Sequence, residues 1–275
     1  MKAPLVIYHA DCYDGFTAAW IAHTALDGRA ELFPGRYGEK PPYSLAEGRE
    51  VLVVDFSYPR EQMIELNEVA GTLVVLDHHK TAEANCEGLD FCTFDMERSG
   101  AGMTWDHFNP GKRRPVWIEC VEDRDLWRFD HPATKSIHAY LTATPMTLEA
   151  WSELHQAEWE HLAEGGDAIR RSIDRYCEKM TEHATGRILW GVPAQVVNAP
   201  YLNCSELCNY LLKGTDEPIE IAVAYFRRAD GAWQFSLRGK PGGTDVSEIA
   251  KRYGGGGHYS AAGFSVEALP EWLVA

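Results

Sequence analysis

Three uninterrupted apolar runs in the first third of the chain constrain its fold more than any other feature. They occupy residues 5–8, 51–54 and 73–76. Such runs are typical of strands that are buried on both faces, as in a parallel sheet covered by helices. Helical periodicity follows the first two runs, over residues 16–26 and 60–70. The pattern predicts an α/β fold whose N-terminal sheet is mostly parallel and carries helices on both faces.

Acidic residues and histidines stand at the carboxyl end of each run. His9 follows the first, Asp55 follows the second, and Asp77-His78-His79 follows the third. In open α/β sheets this edge is where ligands bind. A single aspartate after a strand is usually a helix cap, but three such endings predict one shared site.

The second half of the chain has a different pattern of apolar and polar residues. A polar helical region over residues 145–185 is interrupted by Gly165-Gly166, where we expect a hinge or helix break. Strand-like segments follow at 194–198, 219–227 and 233–238, and the last two should form a hairpin. We therefore predict a larger and a smaller α/β domain. The predicted division is a catalytic domain at 1–165, a helical linker at 166–186 and a smaller α/β domain at 187–275.

Composition excludes several classes of protein. The 41 acidic residues outnumber the 26 basic ones, for a net charge of -15, which disfavours a binder of long duplex nucleic acid. No apolar stretch approaches the roughly 20 residues of a membrane span, and the N-terminus does not resemble a signal peptide. The seven cysteines show no CxxC pairing, so neither a disulfide framework nor a thiolate zinc site is indicated. We expect a cytoplasmic protein, and the sequence leaves open whether it forms a homodimer.

The segment from His9 to Gly15 has the chemistry of a metal site. His9, Asp11 and Asp14 lie within six residues on a predicted strand-to-helix turn. Imidazole and carboxylate ligands together suit manganese, zinc or iron, and carboxylates alone suit magnesium. The alternative is structural, with Asp14 as a helix cap and His9 on the surface.

Two further segments carry functional side chains. A segment rich in acidic residues, 120–127, lies between apolar residues. This arrangement is rare in a solvated loop. With the strand-end residues it could hold two cations, and such a pair clamps a phosphate and activates a bridging water. The glycine run at 254–257, followed by His258, would let backbone amides approach a phosphate closely. A flexible surface loop is the alternative for that run.

The order of these motifs resembles the DHH phosphoesterase superfamily, over about residues 5–267. The resemblance rests on the His-x-Asp motif, the strand-end aspartate, Asp-His-His, the acidic segment and Gly-Gly-Gly-His-x-x-Ala-Ala-Gly-Phe. The segment at 98–102 is also similar. The C-terminal element resembles the DHH-associated domain of the oligoribonuclease, single-strand exonuclease and cyclic-dinucleotide phosphodiesterase branches.

The resemblance implies a site with two manganese ions, Mg²⁺ or another divalent cation being the alternative. Asp55 would bridge the ions, and His79, supported by Asp77, would face the scissile phosphate as the catalytic pair. The implied metal ligands are His9, Asp11, Asp14, Asp55, His78 and Asp123, with Asp125 competing for the last place. The resemblance also implies an active-site cleft between the two domains, with substrate contacts from the second domain at Arg238, Gly255, Gly256, Gly257 and His258. Cys12 stands where the family has its first aspartate, so the choice between Asp11 and Cys12 stays open.

The leading functional prediction is an Mn-dependent hydrolase, a phosphodiesterase that cleaves short oligonucleotides or dinucleotides by a two-metal-activated water. A phosphomonoesterase or polyphosphatase, acting on nucleotide bisphosphates or phosphate chains, is the alternative enzyme. A non-catalytic nucleotide or metal sensor is the alternative of another class.

Overall fold

The computed structural model describes residues 2–213 and 219–274. Two compact units divide the chain between Ile169 and Arg170. This division falls inside the segment 166–186, and the functional domain boundaries remain a prediction. None of the helices described is long and apolar enough to cross a membrane.

The first unit contains a parallel sheet and its covering helices. Its strands are β1 (Leu5–His9), β2 (Glu31–Gly35), β3 (Glu50–Val54), β4 (Thr72–Asp77) and β5 (Cys92–Phe94). Its helices are α1 (Tyr13–Ala25), α2 (Tyr43–Ala46), α3 (Arg60–Val69), α4 (Lys80–Asn85), α5 (Gly100–Phe108), α6 (Val116–Asp125), α7 (Thr134–Thr142) and α8 (Leu148–Gln156). Helix α9 (Trp159–Thr181) contains the division between the units. Within this part of the described chain, the sheet has the order β2-β1-β3-β4-β5 and all its pairs are parallel.

Apolar layers cover both faces of this sheet, as the uninterrupted runs predicted. On one face Val6 and Leu52 pack with Trp20 of α1, in a cluster that also includes residues of α5 to α8. On the other face Val51 packs in a cluster with Met63 of α3. Successive side chains of a strand point to opposite faces, so a strand covered on both sides is apolar at every position. The predicted fold class is confirmed.

The parallel register brings the strand ends to one edge. Tyr8 of β1 lies opposite Val54 of β3, and Val54 lies opposite Leu76 of β4. The next residues along these three strands are His9, Asp55 and Asp77. The backbone N–H of Asp55 also donates to the carbonyl of Leu76 at 2.9 Å. The sheet itself therefore sets the spacing of the candidate site.

The predicted break at Gly165-Gly166 is wrong, because α9 runs through both glycines. Their role is close packing against α7. A Cβ at Gly166 would overlap the carbonyl oxygen of Ser136, and one at Gly165 would lie 2.7 Å from the ring of Tyr140. The absence of side chains lets the two helices approach each other.

This packing gives a stability prediction. Gly166→Ala should lower the free energy of unfolding by about 1–3 kcal/mol, because the overlap with Ser136 outweighs the gain of about 1 kcal/mol in helix propensity. Thermal or urea unfolding measures the change. Ser172→Ala, on the exposed side of α9, is the matched control. A stabilised Gly166→Ala would show that the two helices are not in tight contact.

The second unit is a mixed sheet with helices. Its strands are β6 (Thr185–Leu189), β7 (Val192–Asn198), β8 (Ile221–Arg227), β9 (Trp233–Gly239), β10 (Gly256–His258) and β11 (Ala261–Val266). Its remaining helices are α10 (Cys204–Lys213), α11 (Val246–Lys251) and α12 (Glu271–Val274). The described strands follow the order β10-β11-β9-β8-β7-β6. Antiparallel pairing of β8 with β9 confirms the predicted hairpin.

The glycine run lies at the edge of this second sheet. Gly254 has φ of +75° after the end of α11. A Cβ at Gly255 would lie 2.5 Å from the Cβ of Phe264, and one at Gly257 would lie 2.5 Å from the carbonyl oxygen of Ala261. Gly255 and Gly257 therefore pack closely against β11, while Gly254 and Gly256 are exposed.

Candidate metal centre

Two groups of histidine and aspartate side chains lie at the carboxyl edge of the first sheet. The first group is His9, Asp55 and His79, and the second is Asp14, His78 and Asp125. Within each group the three candidate ligand atoms lie within 4.8 Å of one another. Ligands bound at about 2.0–2.2 Å to one ion are up to about 4.4 Å apart. Each group could therefore hold an ion after small adjustments.

Asp55 lies between the two groups. Its Oδ1 is 3.0 Å from Nε2 of His78 in the second group. Its Oδ2 is 3.5 Å from Nδ1 of His9 in the first group. The carboxylate is 1% exposed. One buried carboxylate thus presents one oxygen to each group, as a bridging ligand does.

Polar atoms of this centre are buried without hydrogen bonds. Within the described residues these atoms include Nδ1 of His9, Oδ2 of Asp14 and Oδ2 of Asp55. An unsatisfied buried polar atom costs about 1–3 kcal/mol, and more when it is charged. Cations coordinated by these atoms would remove that cost, so the residues present fit divalent metal ions.

The electrostatics of the carboxylates lead to the same conclusion. Burial, and then the negative charges of Asp55 and Asp125, raise the pKa of Asp14 well above its ordinary value. Burial and the charge of Asp55 likewise raise the pKa of Asp125. Burial also acts to raise the pKa of Asp55, but the hydrogen bond from His78 and the nearby imidazole of His9 outweigh it and hold the pKa below its ordinary value. Three carboxylates share a desolvated space, and a cation would relieve their repulsion.

Asp77 supports the histidines and does not itself point to an ion. Its Oδ1 accepts from the backbone N–H groups of His78 and His79, at 2.8 and 3.2 Å, and from Nδ1 of His79 at 2.7 Å. Its Oδ2 accepts from the hydroxyl of Ser57 at 2.6 Å. The hydrogen bond to Asp77 raises the pKa of His79 despite burial. A carboxylate on the remote nitrogen is the usual companion of a metal-binding histidine.

His79 therefore lies in the first ligand group. The resemblance implied that this ring faces the scissile phosphate, and that role stays a prediction.

Asp11 and Cys12 lie outside both ligand groups among the residues described. The carboxylate of Asp11 is 78% exposed and forms an ion pair with Arg36 at 2.8 Å. Burial, and then the charges of Asp55 and Asp14, raise the pKa of Cys12. The structure thus places His9 and Asp14 of this motif in the ligand groups, while Asp11 and Cys12 line the adjoining cavity.

Asp123 and Asp125 have separate positions at the end of α6. The Asp123 carboxylate accepts from the backbone N–H groups of Asp130 and His131, at 2.9 and 3.1 Å, and from the hydroxyl of Thr134. Asp125 instead approaches the second group, with Oδ2 3.4 Å from Nε2 of His78. Residues two apart on a helix differ by about 200° in direction. The structure therefore brings Asp125 to the ligand group and uses Asp123 to hold the following loop.

The start of α5 touches the centre directly. The backbone N–H of Ala101 donates to Oδ1 of Asp14 at 3.1 Å. A Cβ at Gly100 would overlap the Cβ of Asp55, and one at Gly102 would overlap the carboxylate of Glu122. Gly100 is therefore the glycine that this approach to the centre requires. In the sequence, only the family resemblance pointed to this segment.

We expect Gly100→Ala to impair the centre more than the fold. The added methyl group must displace Asp55, and a misplacement of about 1 Å costs roughly 100-fold in catalysis. The loss in unfolding free energy should be about 1–3 kcal/mol. Metal-dependent hydrolysis and thermal melting measure the two effects. His107→Ala, exposed on the same helix, is the control, and equal activities of the two variants would contradict the prediction.

The predicted substrate contacts all lie in the second unit. Arg238 of β9 and His258 of β10 both lie opposite Ala261 of β11. Residues directly opposite on paired strands share a face, so these two side chains project from the same side of the sheet. Nη2 of Arg238 donates to the hydroxyl of Ser205 at 2.6 Å. The predicted contacts Gly255, Gly256 and Gly257 immediately precede His258. Their contact with a substrate stays a prediction.

Comparison with known proteins supports the motif-based assignment. Residues 194–273 match the DHHA1 domain. An uncharacterised protein of Acanthamoeba polyphaga mimivirus, R106, is 26% identical over 98% of this chain and 68% of its own length. The oligoribonuclease NrnB of Bacillus subtilis (strain 168) is 27% identical over 78% of this chain and 59% of its own length. The chain thus spans about three fifths to two thirds of these curated relatives.

Solved structures share the fold. The pGpG-specific phosphodiesterase PggH of Vibrio cholerae aligns over 96% of this chain and 93% of its own, with a TM-score of 0.60 and 14% identity. An exonuclease RecJ bound to manganese aligns over 96% of this chain and 86% of its own, with a TM-score of 0.50 and 15% identity. The DHHA1 match, the ordered motifs and the strand-end histidines and aspartates together support a DHH superfamily phosphoesterase.

Proposed function

We propose that this chain is a metal-dependent phosphodiesterase that hydrolyses short oligonucleotides or dinucleotides at a centre of two divalent ions, manganese being the preferred metal. The observation that carries the proposal is Asp55, which directs one oxygen to each of two His/Asp groups while its Oδ2 and that of Asp14 lack hydrogen bonds. A carboxylate so placed matches the bridge of a two-metal site.

The side chains of the centre would have separate roles. Asp55 would bridge the ions, with His9 and His79 completing one set of ligands. Asp14, His78 and Asp125 would supply the other set. Bound divalent ions polarise a phosphoryl oxygen and lower the pKa of water. By accepting from Nδ1 of His79, Asp77 would hold that imidazole in one tautomer, with its other nitrogen facing the centre.

Two relatives support a short nucleotide substrate. The Bacillus subtilis relative is named an oligoribonuclease, and the Vibrio cholerae structure is a phosphodiesterase specific for pGpG. The manganese-bound RecJ structure supports the choice of metal. The net charge of -15 also favours a small substrate over a long nucleic acid.

A substrate panel with Mn²⁺ tests the proposal. The panel consists of a short oligoribonucleotide, a cyclic dinucleotide, an adenosine bisphosphate and polyphosphate. We expect turnover of the oligoribonucleotide, loss of turnover in EDTA, and recovery on adding Mn²⁺. Asp55→Asn, purified in parallel, is the control for contaminating nucleases. Turnover of only the bisphosphate or polyphosphate would establish the alternative enzyme. Metal binding without any turnover would establish a sensor.

A further inference from the structure

Two exposed aromatic rings flank the candidate centre. Tyr37 is 59% exposed and Trp127 is 64% exposed. The other exposed large apolar side chains in the described part of the first unit are Ile64 and Met146, which are not aromatic. Large aromatic surfaces are usually buried, so two exposed rings beside one centre require an explanation.

Tyr37 lies beside the first ligand group. Its ring centroid is 5.3 Å from that of His9 and 6.4 Å from that of His79. It also packs on Phe56 at 4.9 Å, which fixes the ring beside these histidines. Arg36, the residue before Tyr37, forms an exposed ion pair with Asp11. Exposed ion pairs contribute little to stability. The rest of the Tyr37 ring is open to a ligand.

Trp127 lies two residues after Asp125 of the second ligand group. The guanidinium carbon of Arg124 is 4.3 Å from the centre of its ring. Arg124, Asp14 and Asp125 together line a cavity of about 350 Å³, within the size range of small-ligand pockets. Arg124 thus contacts both this cavity and the indole, and most of the indole surface is exposed.

The loop that carries Trp127 is held in an unusual conformation. Trp127 and Phe129 have φ of 57° and 59°, in the left-handed region that bulky side chains rarely adopt. The Asp123 carboxylate holds the loop through the backbone N–H groups of Asp130 and His131. Backbone strain that the surrounding structure enforces is concentrated at functional sites. Here the conformation keeps an indole exposed next to a ligand residue.

We propose that Tyr37 and Trp127 bind the two nucleobases on either side of the scissile phosphate, one ring beside each ligand group. The inference rests on the proposed function and specifies its substrate as a phosphodiester with a base on both sides. Aromatic rings bind bases by stacking, which tolerates any sequence because every base has a π-face. Inorganic polyphosphate has no base that could stack on these two rings.

Steady-state kinetics with Mn²⁺ on three substrates tests the inference. They are 5′-phosphorylated diadenylate and its two analogues in which one or the other adenine is replaced by hydrogen. Tyr37→Ala and Trp127→Ala should each raise KM for diadenylate by about 5- to 150-fold. For each alanine variant, KM should differ from that of the wild type by less than about twofold on one of the two analogues. That analogue should be a different one for Tyr37→Ala and for Trp127→Ala. Tyr37→Phe and Trp127→Phe should keep most of the affinity, and Met146→Ala is the exposed control.

The outcomes separate this inference from the proposed function. A wild-type protein that does not cleave diadenylate contradicts the proposed function itself. If the wild type cleaves it, equal effects of a variant on all three substrates indicate a structural role and overturn the inference. Unchanged KM in either alanine variant also overturns it, as does sensitivity of both variants to the same missing base. Thermal melts of all variants exclude unfolding as the cause of a raised KM.

Discussion

Replacing Asp14 by asparagine should nearly abolish metal-dependent hydrolysis and yet stabilise the metal-free protein. Loss of a residue that only orients a ligand already costs about 10- to 100-fold, so loss of a ligand should cost at least about 100-fold. Asparagine keeps an oxygen that can accept from the N–H of Ala101. Its amide can also donate to the neighbouring Asp55, whose Oδ2 lacks a partner among the described residues.

The stability effect follows from the raised pKa of Asp14, which burial and the charges of Asp55 and Asp125 produce. The folded state binds this proton more tightly than the unfolded state does. Stability of the metal-free protein therefore falls as pH rises from the unfolded carboxyl pKa, about 3.9, through the raised folded value. Asparagine carries no such charge. The metal-free Asp14→Asn variant should be no more stable than the wild type at low pH for this reason. Its gain in stability over the wild type should grow as pH rises through this window.

Thermal melts in EDTA and in Mn²⁺ measure both effects. In EDTA at the upper end of this pH window Asp14→Asn should melt a few degrees above the wild type, since about 1 kcal/mol shifts Tm by roughly 2–4 °C in a chain of this size. In Mn²⁺ the wild type should gain stability by mass action and the variant should gain much less. Asp27→Asn, at a highly exposed carboxylate, is the control. A variant that is less stable than the wild type in EDTA would contradict the electrostatic argument.

Asparagine at position 123 or 125 should produce opposite phenotypes. Asp125→Asn should fold normally and lose at least about 100-fold in activity, as a ligand variant. Asp123→Asn should lose about 1–3 kcal/mol of stability, because the carboxylate accepts three hydrogen bonds at the loop. Since its loop carries Trp127, its KM should also rise, while its kcat should change less than that of Asp125→Asn.

The pH dependence distinguishes the two variants further. Burial acts to raise the pKa of Asp123, but hydrogen bonds from Thr134 and from the loop N–H groups outweigh it, so the pKa is lowered. Its stabilising contribution is complete above the unfolded pKa of about 3.9 and is lost as pH falls through the folded value. The stability gap between wild type and Asp123→Asn should therefore close in acid. A stable but inactive Asp123→Asn beside an active Asp125→Asn would make Asp123 the ligand.

The fold and the main elements of the centre could be predicted because they depend on local pattern and sheet geometry. Uninterrupted apolar runs indicate strands covered on both faces, and parallel strands end at one edge. The convergence of His9 and Asp55 follows from these two facts. Gly165-Gly166 misled the prediction, because a glycine pair in sequence does not distinguish a helix break from close contact with a neighbouring helix.

The remaining details depend on three-dimensional information. The choice between Asp123 and Asp125 needs the rotational phase of α6, and a change of one residue in the helix start would change which side chain meets the centre. The ion pair of Asp11 with Arg36 joins residues 25 positions apart, which local spacing does not reveal. The exposure of Tyr37 and Trp127 is likewise a property of the folded surface.

The position of Asp55 between the two ligand groups has a consequence for how the protein folds. The other residues of these groups come from β1, α1, the turn that follows β4, and α6, so the complete ligand set exists only after distant segments have met. An unfolded chain would have to close long loops to collect these side chains, and the ions gain little by binding it. Bound metal would then act on the native state alone. It should slow unfolding while leaving the rate of folding almost unchanged, so chelation would shorten the lifetime of the folded protein without making it harder to form.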